Sequence, residues 1–293
     1  MREIRAQYLL LPVILSVVGG LLAMDNGAFD AGNFLLFTAI MVLLHITVNT
    51  LNDYYDHKSG IDLHTHRTMF NGGTGIIQAG LLTPRQVIGA AGLSYLVALG
   101  MSVYLVLKVG PVLLPLVVMG MVFALFYTQI FARNMAGEMA AGLGLGFLPV
   151  LGAYMVHLPE VTPGCLTLAV AAGILTFNLL LLNEFPDLEA DRAGGRKNLV
   201  IALGPNRAAK LYTVLTALVY GILVLFVLLG TIPTLSLLGL ITIPFAYKAA
   251  TISFTDPREV DRFVHGMTAN VKVVLMTQAM VAVGLLASII IQW

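Results

Sequence analysis

Residues 33–56 read NFLLFTAIMVLLHITVNTLNDYYD, an apolar run that ends in a short group of amides and carboxylates. A helix needs about 20 mostly apolar residues to cross the hydrocarbon core of a bilayer, and the stretch 33–51 meets that length. It therefore predicts a membrane helix with acidic side chains at one membrane surface. Both features recur along the chain, and together they decide the fold.

The composition of the whole chain places the other apolar runs in a membrane as well. Of its 293 residues, 58% are hydrophobic and 11% are charged, against about 45–50% and about 25% in soluble domains. We predict a single all-α domain covering 1–293, a polytopic membrane protein with nine transmembrane helices. The predicted helices lie near 8–24, 33–51, 86–107, 111–131, 137–157, 163–183, 208–230, 233–254 and 273–292.

Basic residues predict the orientation of these helices. In membrane proteins Lys and Arg concentrate in short cytoplasmic loops. With the N-terminus in the cytoplasm and the C-terminus outside, fifteen of the sixteen basic residues lie on the cytoplasmic side and only Lys108 lies outside. We therefore predict a multi-pass protein of the cytoplasmic (inner) membrane in that orientation. The net charge of +1 gives no indication of a nucleic-acid partner.

A first acidic cluster lies where the second predicted helix reaches the cytoplasmic side. Asn49, Asp53 and Asp56 are spaced at i, i+4 and i+7, so a helix carries them on one face. Carboxylates at the edge of the hydrocarbon layer are unfavourable unless they are paired or bind a cation, and several together repel one another. A divalent cation would remove both penalties, and pairing with loop arginines is the alternative.

A second cluster follows the sixth predicted helix, where Asn183, Asp187 and Asp191 are spaced at i, i+4 and i+8. Pro186 removes a backbone hydrogen bond and disfavours helical geometry at the residue before it. We expect either a kink or local unwinding there, or a plain helix end. Oxygen ligands of this kind suit Mg²⁺, and the absence of Cys or His at ligand spacing argues against zinc or copper.

Basic residues follow each cluster at short distance. Lys58 and Arg67 come after the first cluster, and Arg192, Arg196 and Lys197 come after the second. Carboxylates that hold metal, with cations close by, form the arrangement that a bound diphosphate requires. The positive-inside bias alone would also place cations in these loops.

The two clusters resemble the two aspartate-rich motifs of the UbiA superfamily of intramembrane aromatic prenyltransferases. The matching residues are, in chain order, Asn52, Asp56, Asp62, Asn183, Asp187 and Asp191. The resemblance covers essentially the whole chain and implies nine helices around a central cavity. It also implies Mg²⁺ as cofactor, with two ions held by the clusters, and an enzyme that transfers an isoprenyl group from a polyprenyl diphosphate to an aromatic acceptor.

The same resemblance implies a role for individual residues. It implies that metal is bound by Asn52, Asp56, Asp62, Asp187, Asp191 and Asn183. Diphosphate binding falls to Lys58, Arg67, Arg133, Arg192 and Lys197. Catalysis falls to Asn52, Asp56, Asp187 and Tyr127. Tyr127 resembles a family tyrosine near the reacting carbon, and an aromatic anchor at the membrane interface is its other interpretation.

Finer features are similar to the MenA-type branch, which prenylates 1,4-dihydroxy-2-naphthoate on the way to menaquinone. These features are the spacing from Asp56 to Asp62, the pairs Tyr127-Thr128 and Gly137-Glu138, and the run 191–197 followed by Leu203-Gly204. The 4-hydroxybenzoate branch commonly has a second arginine where this chain has Asn71. The glycine-rich segment 70–75 departs from the MenA pattern and is either a flexible lid over the diphosphate or a turn.

Two other hypotheses stay open at this point. The same chemistry could act on 4-hydroxybenzoate, homogentisate, haem or a glycerol-phosphate lipid, because apolar acceptor pockets are not placed by a sequence alone. A cation-coupled transporter would also carry acids within the membrane. Transporters, however, usually place such residues toward the midplane and often contain repeats, so the clustering at one face favours the enzyme.

Overall fold

The computed structural model describes residues 6–60, 68, 70 and 73–292, and this part of the chain contains helices and turns but no strand. In chain order the helices are α1 Ala6–Asp25, α2 Ala31–Ser59, α3 Pro84–Val109, α4 Pro111–Phe126, α5 Gly137–Met155, α6 Pro163–Asn183, α7 Leu188–Ala193, α8 Leu199–Leu203, α9 Pro205–Leu228, α10 Thr234–Ser253 and α11 Val260–Gln292. The prediction of an all-α protein is confirmed.

Each of the nine predicted apolar segments contains a helix. Among the described residues, seven helices are long and apolar enough to cross a membrane, and two further apolar helices, Leu9–Asp25 and Pro111–Phe126, are shorter. The chain is an integral membrane protein. That all nine helices cross the membrane stays a prediction.

Helix α2 carries the first acidic cluster because it continues well past the apolar run. The helix begins after Asp30, whose Oδ1 accepts a hydrogen bond from the backbone N–H of Asn33 over 2.7 Å, a common way to satisfy the first free amides of a helix. It ends at Gly60, which adopts a left-handed conformation with φ of 77° at little steric cost. Asn49 to Asp56 therefore lie on regular helix.

Helix α6 ends at Asn183, and the chain turns before α7 begins at Leu188. The turn contains Pro186, so the expected interruption of the helix is found there. Asp187 lies in the turn rather than on α6. The helical i, i+4, i+8 spacing therefore does not describe the second cluster, and Asp191 reaches the site from α7 instead.

Glycines allow α5 and α6 to lie unusually close together beside the site. A Cβ atom on Gly146 would lie 2.6 Å from the carbonyl oxygen of Ala172, and one on Gly142 would lie 2.9 Å from that of Gly173. Such distances exclude any side chain at these positions. We call this contact the glycine seam; in it α5 forms a single wide turn from Gly142 to Phe147.

The last helix differs from the prediction in its start. We expected a polar separator at 255–272 and a helix from 273, but α11 begins at Val260. The extra turns form because one of their faces is apolar and fully buried: Phe263 and Met267 are both 0% exposed. The Phe263 ring stacks on that of Phe185, with the centroids 5.5 Å apart. This contact supports the turn that carries the second cluster.

Candidate active site

A polar cavity of about 1250 Å³, its open mouth included, lies at the ends of α2 and α6. It brings together the described members of both acidic clusters, although more than 120 residues of chain separate the two. Its polar lining residues are His45, Asn49, Asn52, Asp53, Asp56, Thr74, Tyr127, Thr176, Asn183, Glu184, Asp187, Asp191, Arg196 and Asn198. The predicted common face of Asn49, Asp53 and Asp56 is confirmed.

Asp53 holds the end of the glycine-rich segment against α2. Its Oδ1 accepts a hydrogen bond of 2.9 Å from the backbone N–H of Thr74, and its Oδ2 accepts one of 2.6 Å from the Thr74 hydroxyl. Gly73 and Gly75, on either side of Thr74, have φ values of 67° and 72°. Glycine adopts such values readily, so the segment can turn sharply into the cavity wall here.

Asp56 is buried and meets two side-chain donors. Its Oδ2 accepts a hydrogen bond of 2.6 Å from Nδ2 of Asn52, one helical turn earlier. Its Oδ1 accepts a hydrogen bond from the guanidinium of Arg196, which comes from the connection between α7 and α8. The first acidic cluster is thus joined directly to the chain that follows the second cluster.

Asp191 completes this link from the other side. It is 2% exposed; its Oδ1 accepts a hydrogen bond of 3.3 Å from Nη1 of Arg196, and its Oδ2 accepts one of 2.9 Å from Nδ2 of Asn198. Burial raises the pKa of Asp191 and the Arg196 charge opposes that rise, while the Asp56 charge adds to it. The charges of both aspartates raise the pKa of Arg196, although burial acts against them.

The residues that follow Arg196 are fixed by the α4–α5 connection and by the first turn of α5. The backbone N–H of Met135 donates to the carbonyl oxygen of Lys197 over 2.9 Å. The backbone N–H of Leu199 donates to Oε1 of Glu138 over 2.6 Å. Glu138 is 1% exposed, so a buried carboxylate anchors the start of α8.

Oxygen donors suitable for a hard cation face the cavity beside these bonds. Oδ1 of Asn183 and Oε2 of Glu184 are buried and have no hydrogen-bond partner among the described residues. Burial, and secondarily the charge of Glu138, raises the pKa of Glu184 well above its ordinary value. The donor set consists of carboxylate and amide oxygens, which fits Mg²⁺.

These donors do not surround a ready-made metal position. In the described ranges, no three His, Cys, Asp or Glu side chains stand together in a metal-binding arrangement. Between Asp56 and Asp191 lies the guanidinium of Arg196. Asp62, a predicted metal ligand, lies outside the described residues, as does Arg67.

Four of the predicted diphosphate-binding residues do not line this cavity. Lys58, Arg133, Arg192 and Lys197 are exposed and do not line the cavity; Arg192 pairs with Glu189 over 3.9 Å. Their contact with diphosphate stays a prediction. Among the described residues the cation that lines the cavity is Arg196, which follows Arg192 in the sequence and for which no role was predicted.

Asn198 and Glu184 are further polar residues of the site for which no role was predicted. Both are polar residues next to an apolar helix, a weak signal that many loop residues share. Glu138 was noticed only as half of a Gly-Glu pair, with no role. Its burial depends on the α4–α5 connection folding onto the α7–α8 connection, which no local pattern indicates.

A second cavity, of about 810 Å³ with its open mouth included and almost wholly apolar, lies among α2, α3, α4 and α5. It extends along α2 from Val48 to Phe37, toward the membrane surface opposite the acidic clusters. Val48, Tyr127 and Leu145 line both cavities. The polar and apolar cavities therefore adjoin at Tyr127, which explains how a predicted catalytic tyrosine can touch both.

Comparison with known sequences gives a consistent result. The model of the UbiA prenyltransferase family matches residues 13–286. The chain is 29% identical to a 1,4-dihydroxy-2-naphthoate octaprenyltransferase of Bacillus subtilis (strain 168), over 71% of this chain and 66% of that protein, slightly under two thirds of its length. It is 31% identical to the enzyme of the same name from Mycobacterium tuberculosis (strain ATCC 25618 / H37Rv), over 74% of this chain and 72% of that protein.

Solved structures share the fold. The apo structure of a UbiA homolog from Aeropyrum pernix K1 has a TM-score of 0.74 and 16% identity, covering 97% of this chain and 98% of that one. A UbiA homolog from Archaeoglobus fulgidus bound to DMAPP and Mg²⁺ has a TM-score of 0.67 and 14% identity, covering 93% and 98%. At these identities the likeness concerns the arrangement of helices.

Proposed function

The chain belongs to the UbiA prenyltransferase family, and from that premise we propose that it transfers an isoprenyl group from a polyprenyl diphosphate to 1,4-dihydroxy-2-naphthoate. The observation that carries the proposal is the junction of two unlike cavities at Tyr127. One cavity offers carboxylates, amides and a guanidinium, and the other offers apolar side chains. An isoprenyl diphosphate has the same two unlike parts, joined at the carbon that reacts.

We assign the diphosphate to the polar cavity, with Mg²⁺ as its counter-ion. Asn52, Asp56, Asp187, Asp191 and Asn183 are the described residues that would hold the metal, and Asp62 joins them from outside the described range. When bound, Mg²⁺ neutralises the diphosphate and makes it a better leaving group. The homolog from Archaeoglobus fulgidus, bound to DMAPP and Mg²⁺, supports this choice of ligands.

The apolar cavity would hold the isoprenyl tail. Its walls are aliphatic and aromatic side chains, such as Leu44, Leu105 and Phe123, with little polar surface. A tail placed there excludes water from the reacting carbon. As the bond to the diphosphate breaks, the aromatic ring rather than water attacks the allylic cation, and the attacked ring carbon then loses the group it carried, a proton or a carboxyl group released as CO₂. The protein's part in catalysis is thus positioning, charge placement and exclusion of water.

The choice of acceptor rests on similarity to one branch of the family. Relatives from two bacteria carry the name 1,4-dihydroxy-2-naphthoate octaprenyltransferase, and the motif spacing around Asp62 and Asp191 is MenA-like. We expect 1,4-dihydroxy-2-naphthoate to be prenylated faster than 4-hydroxybenzoate, homogentisate, haem or a glycerol-phosphate lipid.

The test is an assay of purified protein in detergent with farnesyl and geranylgeranyl diphosphate and each of these acceptors. Activity should require Mg²⁺ and disappear in EDTA. Turnover of a different acceptor alone would contradict the branch assignment. A protein that binds no prenyl diphosphate, and instead moves a cation across proteoliposomes, would overturn the prenyltransferase assignment in favour of a transporter.

We further propose that the polar cavity opens to the cytoplasm, because the basic residues surround that end of the helices. Reporter fusions at residues 70, 160 and 293 should report cytoplasm, outside and outside in that order. A cytoplasmic signal at Trp293 would contradict the count of nine crossings.

A further inference from the structure

Every carboxylate oxygen of Asp56 and Asp191 is already hydrogen-bonded to a side chain of the protein. Asn52 and Asn198 each occupy one oxygen, at 2.6 and 2.9 Å. The two remaining oxygens, one from each aspartate, both receive the guanidinium of Arg196. These are two of the residues to which metal binding is assigned above, so Arg196 stands where a cation shared by the two clusters would stand.

The burial of the three side chains explains why a cation is needed at this point. The Asp56 and Asp191 side chains are 8% and 3% exposed and that of Arg196 is 18% exposed. Two buried carboxylates this close repel each other strongly unless a positive charge lies between them. Arg196 supplies that charge from within the chain and keeps the ends of α2 and α7 together.

The same charge opposes metal binding. A divalent ion that takes one oxygen from each aspartate competes with the guanidinium for those oxygens and is repelled by it. The backbone N–H of Arg196 donates to the carbonyl oxygen of Asp191, and the hydrogen bonds from Met135 and to Glu138 hold the residues that follow Arg196, so the segment itself stays in place. The long side chain can still rotate, and a diphosphate in the same cavity offers the guanidinium an equivalent set of oxygens.

We propose that Arg196 is a built-in counter-ion that excludes Mg²⁺ from the acidic clusters until the diphosphate arrives, and that it then moves from the aspartates to the diphosphate. Metal and diphosphate consequently bind together rather than in sequence. This inference rests on the proposed function, because it takes the polar cavity to be the diphosphate site. Arg196 also becomes a diphosphate ligand that the motif analysis did not assign.

The experiment measures Mn²⁺ binding by electron paramagnetic resonance in detergent, with and without the unreactive analogue farnesyl thiodiphosphate. For the wild-type protein we expect weak Mn²⁺ binding alone and at least about tenfold tighter binding with the analogue; by linkage Mn²⁺ must tighten analogue binding equally. In Arg196→Gln, Mn²⁺ alone should bind about tenfold more tightly than in the wild type. The analogue should bind about ten- to a hundredfold more weakly, as expected for the loss of charge-assisted hydrogen bonds.

Arg258→Gln is the matched control, since it removes an exposed arginine that pairs with Asp256 outside the cavity. It should leave both affinities unchanged. Arg196→Lys keeps the positive charge but loses the planar fork, so it should still exclude Mn²⁺ while binding the analogue more weakly. This second variant decides the matter if Arg196→Gln proves unfolded in a thermal-stability assay.

Two failures are distinguishable. If the wild type binds the analogue but folded Arg196→Gln, or Arg196→Lys in its place, shows unchanged Mn²⁺ and analogue affinities, Arg196 is a fixed brace and the inference is wrong. If the wild type binds neither Mn²⁺ nor the analogue under any condition, the proposed function itself fails.

Discussion

The polar and apolar cavities share Val48, Tyr127 and Leu145, yet they are built from different parts of the chain. The polar cavity is assembled from helix ends and connections, whose side chains hydrogen-bond to one another across long sequence separations. The apolar cavity is lined almost wholly by apolar side chains of the four helices α2, α3, α4 and α5. Binding of metal and diphosphate therefore depends on a few specific hydrogen bonds, whereas binding of the tail depends on the shape of the cavity. Substitutions in one cavity should leave the function of the other unchanged.

Replacement of Asp56 by Ala should have the largest effect. It removes a proposed metal ligand and leaves Arg196 with one fewer buried partner, so we expect kcat for prenyl transfer to fall by about a thousandfold or more, as for a group that acts in the transition state. Asp261→Ala, at an exposed position in the first turn of α11, is the control and should retain full activity. Near-normal turnover of Asp56→Ala would show that the first cluster has a structural role and does not bind a catalytic metal.

A side chain added inside the apolar cavity should act on tail length instead. Gly120 lines this cavity, and a Cβ atom there meets no other atom within 4 Å. Gly120→Phe should displace about three tail carbons, at about 0.8 kcal/mol each, or about fiftyfold in affinity for a long-chain diphosphate. Dimethylallyl diphosphate, which is too short to reach it, should bind normally.

The control for this variant is Gly221→Phe, since Gly221 also has open space around it but is exposed on α9. Affinities can be measured by calorimetry. An equal loss for short and long diphosphates would mean that the tail lies elsewhere.

Tyr127→Phe tests the boundary between the cavities and should have a smaller effect. The phenylalanine ring keeps the π-face that can stabilise a nearby cation, so only a hydroxyl is lost. We expect kcat to fall about two- to tenfold, as for one neutral hydrogen bond, whereas Tyr247→Phe, on an exposed tyrosine, should change nothing. A fall in kcat of several hundredfold would instead show that the Tyr127 hydroxyl takes part directly in catalysis.

The smallest effect should come from the membrane surface opposite the clusters. Lys108 donates to Oδ1 of Asn33 over 2.6 Å and pairs with Asp30 over 3.5 Å, with both charged side chains about half exposed. Exposed pairs of this kind contribute about 0–1 kcal/mol. Lys108→Met should therefore alter thermal stability slightly and leave prenyl transfer unchanged. A tenfold loss of prenyl transfer in Lys108→Met would show that residues at the membrane surface opposite the clusters contribute to the reaction.

The two cavities also differ in how far the sequence predicts them. Asp56 and Asp191 stand out because charges are rare in this chain, and the helix through Asp53 and Asp56 follows from simple spacing. Arg196 could not be singled out from Arg192 and Lys197, because only the fold turns it inward while its neighbours face solvent. The apolar cavity gives no signal at all, since Leu105 and Phe123 resemble any other apolar residues of a membrane helix. The start of α11 was misplaced for a related reason: Phe263 and Met267 follow a short charged stretch at 256–262, so composition does not reveal that they form a buried helical face.

The glycine seam between α5 and α6 has a consequence for substrates of different size. At Gly142 and Gly146 the backbones of α5 and α6 are in direct contact. The α5 wall of the cavity therefore cannot move toward α6, and it can move away only if the two helices separate. Helix α4, on the other side of the apolar cavity, turns Val118, Met119 and Val122 outward, where lipid chains would border it in the predicted nine-helix arrangement. Widening for a bulkier tail is therefore expected at α4 and α3 rather than at the seam. Adaptation to new prenyl donors can then proceed by exchange of α4 side chains, while the seam keeps the neighbouring carboxylates in register.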